Sequence, residues 1–293
     1  MVKFKIEEIL VMDERRLLNI AIGMLDYYGY EVMMGSDFTI GYREDAQLCF
    51  VAHVDKVGGI PQVKKSGIFL YSANGEPLGG DDRAGVWIMF ELIRKKSPAM
   101  FIFTNGEECG GIGAKEIINT IPQEIFKDIS LMIELDRQGS LEYVYYHSIP
   151  KEVKKYIESF GFKEDFGTFS DISILSPYYK IPAVNLSVGY SHQHSRYEYL
   201  NIPVMKDTLS RCKKMIKKPL PKVEYTPGED YEWEYYEDIY GLSDDELALL
   251  ENKNAIAWLY GEPYCIECGE PAFSCSCGNI DNILEEGGYG IHT

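Results

Sequence analysis

Five short stretches of this chain concentrate side chains that hold cations and move protons: His53-Val54-Asp55, Gly79-Gly80-Asp81-Asp82, Glu107-Glu108, Asp136 and His192-Gln193-His194. Adjacent carboxylates repel, so a pair such as Asp81-Asp82 calls for a cation or a dense hydrogen-bond shell. The glycines before it allow close backbone approach and conformations that a Cβ would forbid. Taken singly, each stretch has an ordinary structural explanation. Gly-Asp turns cap helices, Glu-Glu pairs sit solvated in loops, and His-x-His is a common polar loop. Together they make a donor set for two divalent ions. One carboxylate can bridge both ions, each then taking about two more protein ligands and keeping room for water. His53 and Asp136 would complete one site and Glu108 and His194 the other, with Asp81 between them. Zinc suits mixed imidazole and carboxylate donors, and cobalt or manganese could substitute. Asp55 is placed to orient the His53 imidazole. Glu107 holds no ion in this scheme, so it is free to take a proton from an attacking water and pass it to a leaving nitrogen. Side-chain alternation along an extended backbone would separate it from Glu108.

The elements around these stretches explain how they could meet. The runs Ala46 to Ala52, Ala99 to Thr104 and Ile129 to Leu135 are almost wholly apolar, as in strands covered on both faces. His53, Glu107-Glu108 and Asp136 each follow one of them. Asp37 to Tyr42 reads as a further strand. Helical patterns fill residues 5–28, 84–96, 112–119, 151–160 and 204–217, and residues 62–77 read as a hairpin or loop with turns at Gly67 and Gly75. Ile181 to Val188 is a strand, with the His192 to Glu198 loop after it. Strand alternating with helix predicts an α/β domain with a mostly parallel central sheet and helices on both faces. In such sheets ligands bind beyond the carboxyl ends of the strands, which is where the five stretches fall.

With 293 residues, 45% of them hydrophobic, the chain can bury one large core and carry an appendage. Its formal charge of −17 argues against nucleic-acid binding. No apolar run approaches the roughly 18 residues needed to cross a bilayer. Acids interrupt the first residues, so no signal-peptide core is expected there. The expectation is a cytoplasmic protein with no membrane partner. Cys49, Cys109 and Cys212 are scattered and expected as thiols.

The quoted pieces carry a resemblance. Ala52-His53-Val54-Asp55, Leu78-Gly79-Gly80-Asp81-Asp82-Arg83-Ala84-Gly85, Glu107-Glu108-Cys109-Gly110, Asp136 and His194-Ser195-Arg196-Tyr197-Glu198 resemble the dinuclear zinc aminopeptidases and related exopeptidases. That superfamily includes peptidase T and the leucyl and glutamyl aminopeptidases. The resemblance spans residues 52–198. It implies a zinc-exopeptidase fold and two catalytic zinc ions. It further implies Asp81 rather than Asp82 as the bridging ligand, Glu107 as the general base, and His194 rather than His192 as a ligand. Many relatives carry a lid or dimerisation domain after the position of Asp136. The interval from Asp136 to His194 is too short for one here, which places this chain in a single-domain branch. Arg137 and the Phe166-to-Asp171 turn are then candidates to line the pocket.

Composition changes at Pro219. Residues 222–238 hold seven acids and five Tyr or Trp with almost no aliphatics, which reads as a linker or arm. The expected division is a catalytic domain over 1–218, an acidic aromatic arm over 219–242, and a C-terminal helix with a cysteine knuckle over 243–293. Cys265, Cys268, Cys275 and Cys277 have the composition of a closed structural zinc site. This C-terminal part is the expected place for a protein partner or self-association. The function expected is a metal-dependent aminopeptidase acting on short peptides. Two alternatives stay open: a deacylase or amidohydrolase on a non-peptide amide, and a non-catalytic binding protein on the same fold.

Overall fold

The computed structural model describes residues 3–167, 169–221, 223 and 225, and the backbone of 256–259 and 262–265. The chain divides into two units, Met1–Glu229 and Asp230–Thr293. In chain order the first unit comprises α1 (Ile6–Ile9), α2 (Glu14–Tyr27), β1 (Glu31–Met34), β2 (Phe38–Tyr42), β3 (Leu48–His53), β4 (Val63–Ser66), β5 (Phe69–Ser72), α3 (Gly80–Ile93), β6 (Met100–Thr104), α4 (Ile112–Thr120), β7 (Leu131–Arg137), β8 (Glu142–Val144), α5 (Lys151–Glu158), β9 (Lys163–Glu164), α6 (Asp171–Tyr179), β10 (Ala183–Ser187), β11 (Tyr190–Ser191), β12 (Tyr199–Asn201) and α7 (Ile202–Met215).

Eight strands form the main sheet in the order β1-β2-β6-β3-β7-β10-β8-β9. Its centre, β6-β3-β7-β10, is parallel, and the β1-β2 and β10-β8 pairings are antiparallel. Alternation along β3 shows why the run is apolar throughout. Leu48, Phe50 and Ala52 enter one core cluster, while Cys49 and Val51 enter the cluster on the opposite face. The same alternation in β7 sends Leu131, Ile133 and Leu135 to the first cluster and Met132 to the second. Carried onward, it puts His53 on the side of Val51, and Glu134 and Asp136 on the side of Met132. The strands thus end in polar residues on a face that further back is purely apolar.

The expected α/β architecture is present, with three local differences. The apolar period over 5–28 continues through a break: the Asp13 side chain accepts from the Arg16 N–H at 2.8 Å and starts α2 as a separate helix. The helix expected over 84–96 extends back to Gly80 and ends at Ile93, with Asp81 and Asp82 out of helical geometry at its start. Strands β1, β8, β9, β11 and β12 escape a reading based on apolar runs, because most are short and half exposed. One of them matters for the site. The β4-β5 hairpin is no isolated surface feature, since it joins a second sheet in the order β11-β12-β5-β4.

Arg83 is fully buried and ties this scaffold to the N-terminus. Its guanidinium donates to the carbonyls of Ile9, at 2.9 Å, and Met12, which close the turn between α1 and α2. Gly85 is needed for a close approach: a Cβ there would stand 2.3 Å from the Leu135 carbonyl oxygen, so α3 could not sit against the end of β7.

In the second unit, β13 (Ile256–Leu259) and β14 (Glu262–Cys265) pair antiparallel, with Ile256 opposite Cys265. Cys265 is thus placed at a strand end by its backbone. Cys268, Cys275 and Cys277, the helix expected from Ser243 and most of the expected arm lie outside the described residues. Among the described residues no helix is long and apolar enough to cross a membrane.

Candidate metal centre

His53, Asp81, Glu108, Asp136 and His194 converge at the carboxyl ends of the central strands. His53 is the last residue of β3 and Asp136 stands one residue before the end of β7. Asp81 opens α3, Glu108 lies in the loop after β6, and His194 lies between β11 and β12. That loop after β6 turns at Gly106, whose φ of +81° favours glycine.

Asp81 divides its two oxygens between two imidazoles. Oδ1 lies 3.1 Å from His53 Nε2 and Oδ2 lies 3.2 Å from His194 Nε2. His53 Nε2 is also 3.6 Å from Asp136 Oδ1, and His194 Nε2 is 2.7 Å from Glu108 Oε1. The residues therefore fall into two groups, His53 with Asp136 and His194 with Glu108, joined by one carboxylate. Donor atoms of His53, Asp81 and Glu108 all lie within 4.8 Å of one another. Asp82 is turned away from both imidazoles. Its Oδ1 accepts from the Gly85 N–H at 3.1 Å, and its Oδ2 has no partner among the described residues. His192 is also outside the cluster, 5.8 Å from the Tyr199 ring.

The supporting contacts are equally specific. Asp55 Oδ1 stands 3.3 Å from His53 Nδ1, and the same carboxylate accepts from the backbone N–H groups of Glu107, at 3.2 Å, and Glu108, at 3.1 Å. One side chain thus stands beside an imidazole and anchors the Glu107-Glu108 loop. Two further contacts escape a reading of residue types. The Tyr190 hydroxyl donates to Asp136 Oδ1 at 3.1 Å, and the Glu198 carboxylate accepts from the backbone of Gly79, Gly80 and Asp81. Glu198 shares its loop with His194, but its residue type alone assigns it no role. For Tyr190 no spacing in the sequence gives a signal.

Charge at the site is out of balance in a telling way. Burial and neighbouring carboxylates push Glu107 up to about 10 and Asp136 up to about 7. Burial opposes protonation of the imidazoles, yet Asp136, Asp55 and Asp81 hold His53 well above the usual histidine value. His194 is pushed up to about 10, with Asp81 and Glu108 overcoming the effect of burial. Asp81 is held well below the usual carboxylate range despite burial, because both imidazoles face it. Protons on the imidazoles supply the positive charge that this cluster of acids demands. Divalent ions would supply it better, since His53 and His194 would then present neutral nitrogen donors. The donor set fits ions of the zinc type.

The candidate pocket residues divide. Arg137 Nη2 pairs with Asp165 Oδ2 at 2.6 Å, and its buried Nε–H has no partner among the described residues. Phe166 is 74% exposed beside that pair. Asp171, by contrast, is wholly buried and accepts from the Thr104 hydroxyl, so it braces the strand end rather than lining an open wall. A separate cavity of about 410 Å³, lined by residues such as Tyr42, Arg43, Met100 and Ile129, opens at the amino ends of the strands, away from this cluster.

The sequence model described as peptidase family M28 matches residues 38–216, which takes in every residue of the cluster. No curated protein matches the chain. Among solved structures, aminopeptidase PepT from Bacillus cereus is similar at 16% identity and a TM-score of 0.58, covering 72% of this chain and 96% of its own. A tripeptidase from Staphylococcus aureus is similar at 16% identity and a TM-score of 0.59, with the same coverage. A leucine aminopeptidase precursor from Bacteroides thetaiotaomicron is similar at 12% identity and a TM-score of 0.55, covering 74% of this chain and 98% of its own. At these identities the likeness establishes the fold.

Proposed function

Because the chain belongs to peptidase family M28, we propose that it is a metal-dependent aminopeptidase that removes N-terminal residues from short peptides. The observation that carries this reading is the division of Asp81 between His53 and His194, each imidazole being paired with a further carboxylate. In this reading His53, Asp81 and Asp136 hold one zinc ion, and Asp81, Glu108 and His194 hold the other. Ions held there would supply Lewis acidity, for polarising the scissile carbonyl and for making water acidic enough to attack near neutral pH.

The remaining chemistry belongs to the chain. Glu107 enters none of the pairings with His53 or His194, and its carboxylate accepts no hydrogen bond among the described residues. It takes the proton of the attacking water and delivers it to the leaving nitrogen, so the amine departs neutral. Its loop is fixed through the Asp55 contacts to the Glu107 and Glu108 backbone, which keeps the base in place while its side chain changes protonation state. Without ions, burial and the neighbouring acids keep Glu107 protonated near neutral pH, so it would become a base only when bound ions supply the positive charge that favours its carboxylate form. Asp55 also keeps the His53 ring in the orientation that turns Nε2 toward Asp81 and Asp136.

We propose that the substrate's amino terminus is recognised as a free amine. With Asp81, Asp136 and Glu108 engaged by the ions, the amine lone pair would serve as a further donor to one ion, whereas an N-acetyl amide lacks that lone pair and adds bulk. The test is a pair of substrates, a free aminoacyl anilide and its N-acetyl counterpart, with zinc-loaded protein. Cleavage of the free compound alone is the expected result. Equal cleavage of both would replace the aminopeptidase reading with that of an amidohydrolase. We further propose that Cys265, Cys268, Cys275 and Cys277 hold a structural zinc ion, on the strength of their composition and spacing.

A further inference from the structure

The segment from Tyr190 to Asn201 makes a hydrogen bond or ion pair to every ligand-bearing segment except the end of β3. Tyr190, on β11, donates to Asp136. His194 meets Asp81 and Glu108. Glu198, just before β12, meets the backbone ahead of α3: its Oε2 accepts from the Gly79 N–H at 2.9 Å, and its Oε1 accepts from Gly80 at 2.6 Å and Asp81 at 3.2 Å. Glu198 is 1% exposed and, among the described residues, hydrogen-bonds no cationic side chain, although Lys56 acts on it electrostatically. A buried carboxylate hydrogen-bonded only to backbone N–H groups is costly to keep. A neutral residue could close this hairpin at lower cost, so the carboxylate calls for a task of its own.

Asp81 shows that task. His194 reaches the side chain of Asp81, and Glu198, four residues later on the same loop, grips its main-chain N–H. The approach is close: a Cβ on Gly80 would stand 3.0 Å from Tyr190 Cβ and 3.1 Å from Glu198 Oε1. Asp81 and Asp82 lie outside helical geometry, so α3 does not by itself fix where the Asp81 carboxylate points. We propose that Glu198 is a positioning residue for the shared carboxylate: it locks the Asp81 backbone onto the His194 loop, so that both oxygens of Asp81 face their imidazoles at once. This rests on the two-ion reading given above and assigns a device that sustains it.

The test is zinc binding by full-length, metal-stripped protein, followed by competition with a chromogenic chelator, alongside thermal unfolding with and without zinc. Wild type is titrated first, and failure to bind zinc at the cluster would overturn the two-ion reading and this proposal with it. Given wild-type binding, Glu198→Ala is expected to weaken zinc affinity by about 10–100-fold, the usual effect of losing an outer-shell partner. The rise in Tm that zinc produces should shrink as well. Glu198→Gln keeps the shape and one acceptor oxygen, so it should restore part of the loss. A purely structural Glu198 would lower the metal-free Tm and leave zinc affinity unchanged. That outcome, in either variant, overturns the proposal. If Glu198→Ala does not fold, Glu198→Gln decides alone, since it too must bind zinc more weakly than wild type.

Discussion

Replacing Glu107 with Gln separates catalysis from metal binding. The substitution keeps the side chain's shape, and the Asp55 contacts that hold its loop run to backbone N–H groups, which the variant retains. Glu107 makes no ion pair with His53 or His194, so the clusters around Asp81 lose no member. What disappears is the carboxylate proposed to carry the proton. General acid-base groups contribute roughly 10²–10⁴-fold, which is about 3–5 kcal/mol of barrier at about 1.4 kcal/mol per tenfold. The assay is steady-state hydrolysis of a free aminoacyl anilide, with zinc measured on the same sample. kcat should fall by that factor with KM little changed, because the group acts on the proton rather than on substrate binding. The metal-free variant should be at least as stable as wild type above neutral pH, where burying the Glu107 charge is costly. A variant that keeps more than about a tenth of wild-type kcat with full zinc content would refute the role, since the lower bound on a general base is larger than that. A variant that loses zinc would refute the separation of base from ligand.

Two more outcomes follow from the same geometry. Metal-free protein should lose stability from about pH 5 to about pH 9, because groups with raised values bind protons more tightly folded than unfolded. Glu107 and His194 at about 10, Asp136 and Glu198 at about 7 and Asp171 at about 6 all titrate in that sense. Asp55 and Asp81, which are held low, lose their contribution only in acid, below that window. Zinc replaces these protons, so its effect on Tm should grow with pH, and a metal-free Tm that rises over the window would contradict this. A chain ended after Glu229, at the boundary of the first unit, should bind one zinc fewer than full length and keep its activity. Unchanged zinc content would show that the four cysteines hold none.

Much of the site was legible because its residues obey strand geometry. Runs buried on both faces can be only central strands, and ligands gather at their carboxyl ends, so His53, Glu107-Glu108 and Asp136 could be placed without knowing a single distance. Resolving Asp81 from Asp82 and His194 from His192 needed family resemblance, since neighbours of one type carry no directional information in sequence. In the structure Asp81 faces both imidazoles, while Asp82 accepts from the Gly85 N–H and His192 packs by Tyr199. Glu198 and Tyr190 were hidden for a different reason. Their partners are a backbone segment more than a hundred residues upstream and the acid at the end of β7, contacts that depend on how the second sheet sits over the first. The break at Asp13 was missed because apolar spacing runs on across it, while the capping oxygen that makes it is a local hydrogen bond.

The central claim is that one carboxylate serves two ions. It is tested most directly by counting zinc in full-length wild type and in Asp81→Ala, both stripped, reloaded and dialysed together. The account predicts two zinc equivalents fewer in the variant, with any zinc on the cysteines unaffected. A loss of one equivalent, or of none, would show that Asp81 is not shared and would contradict the account.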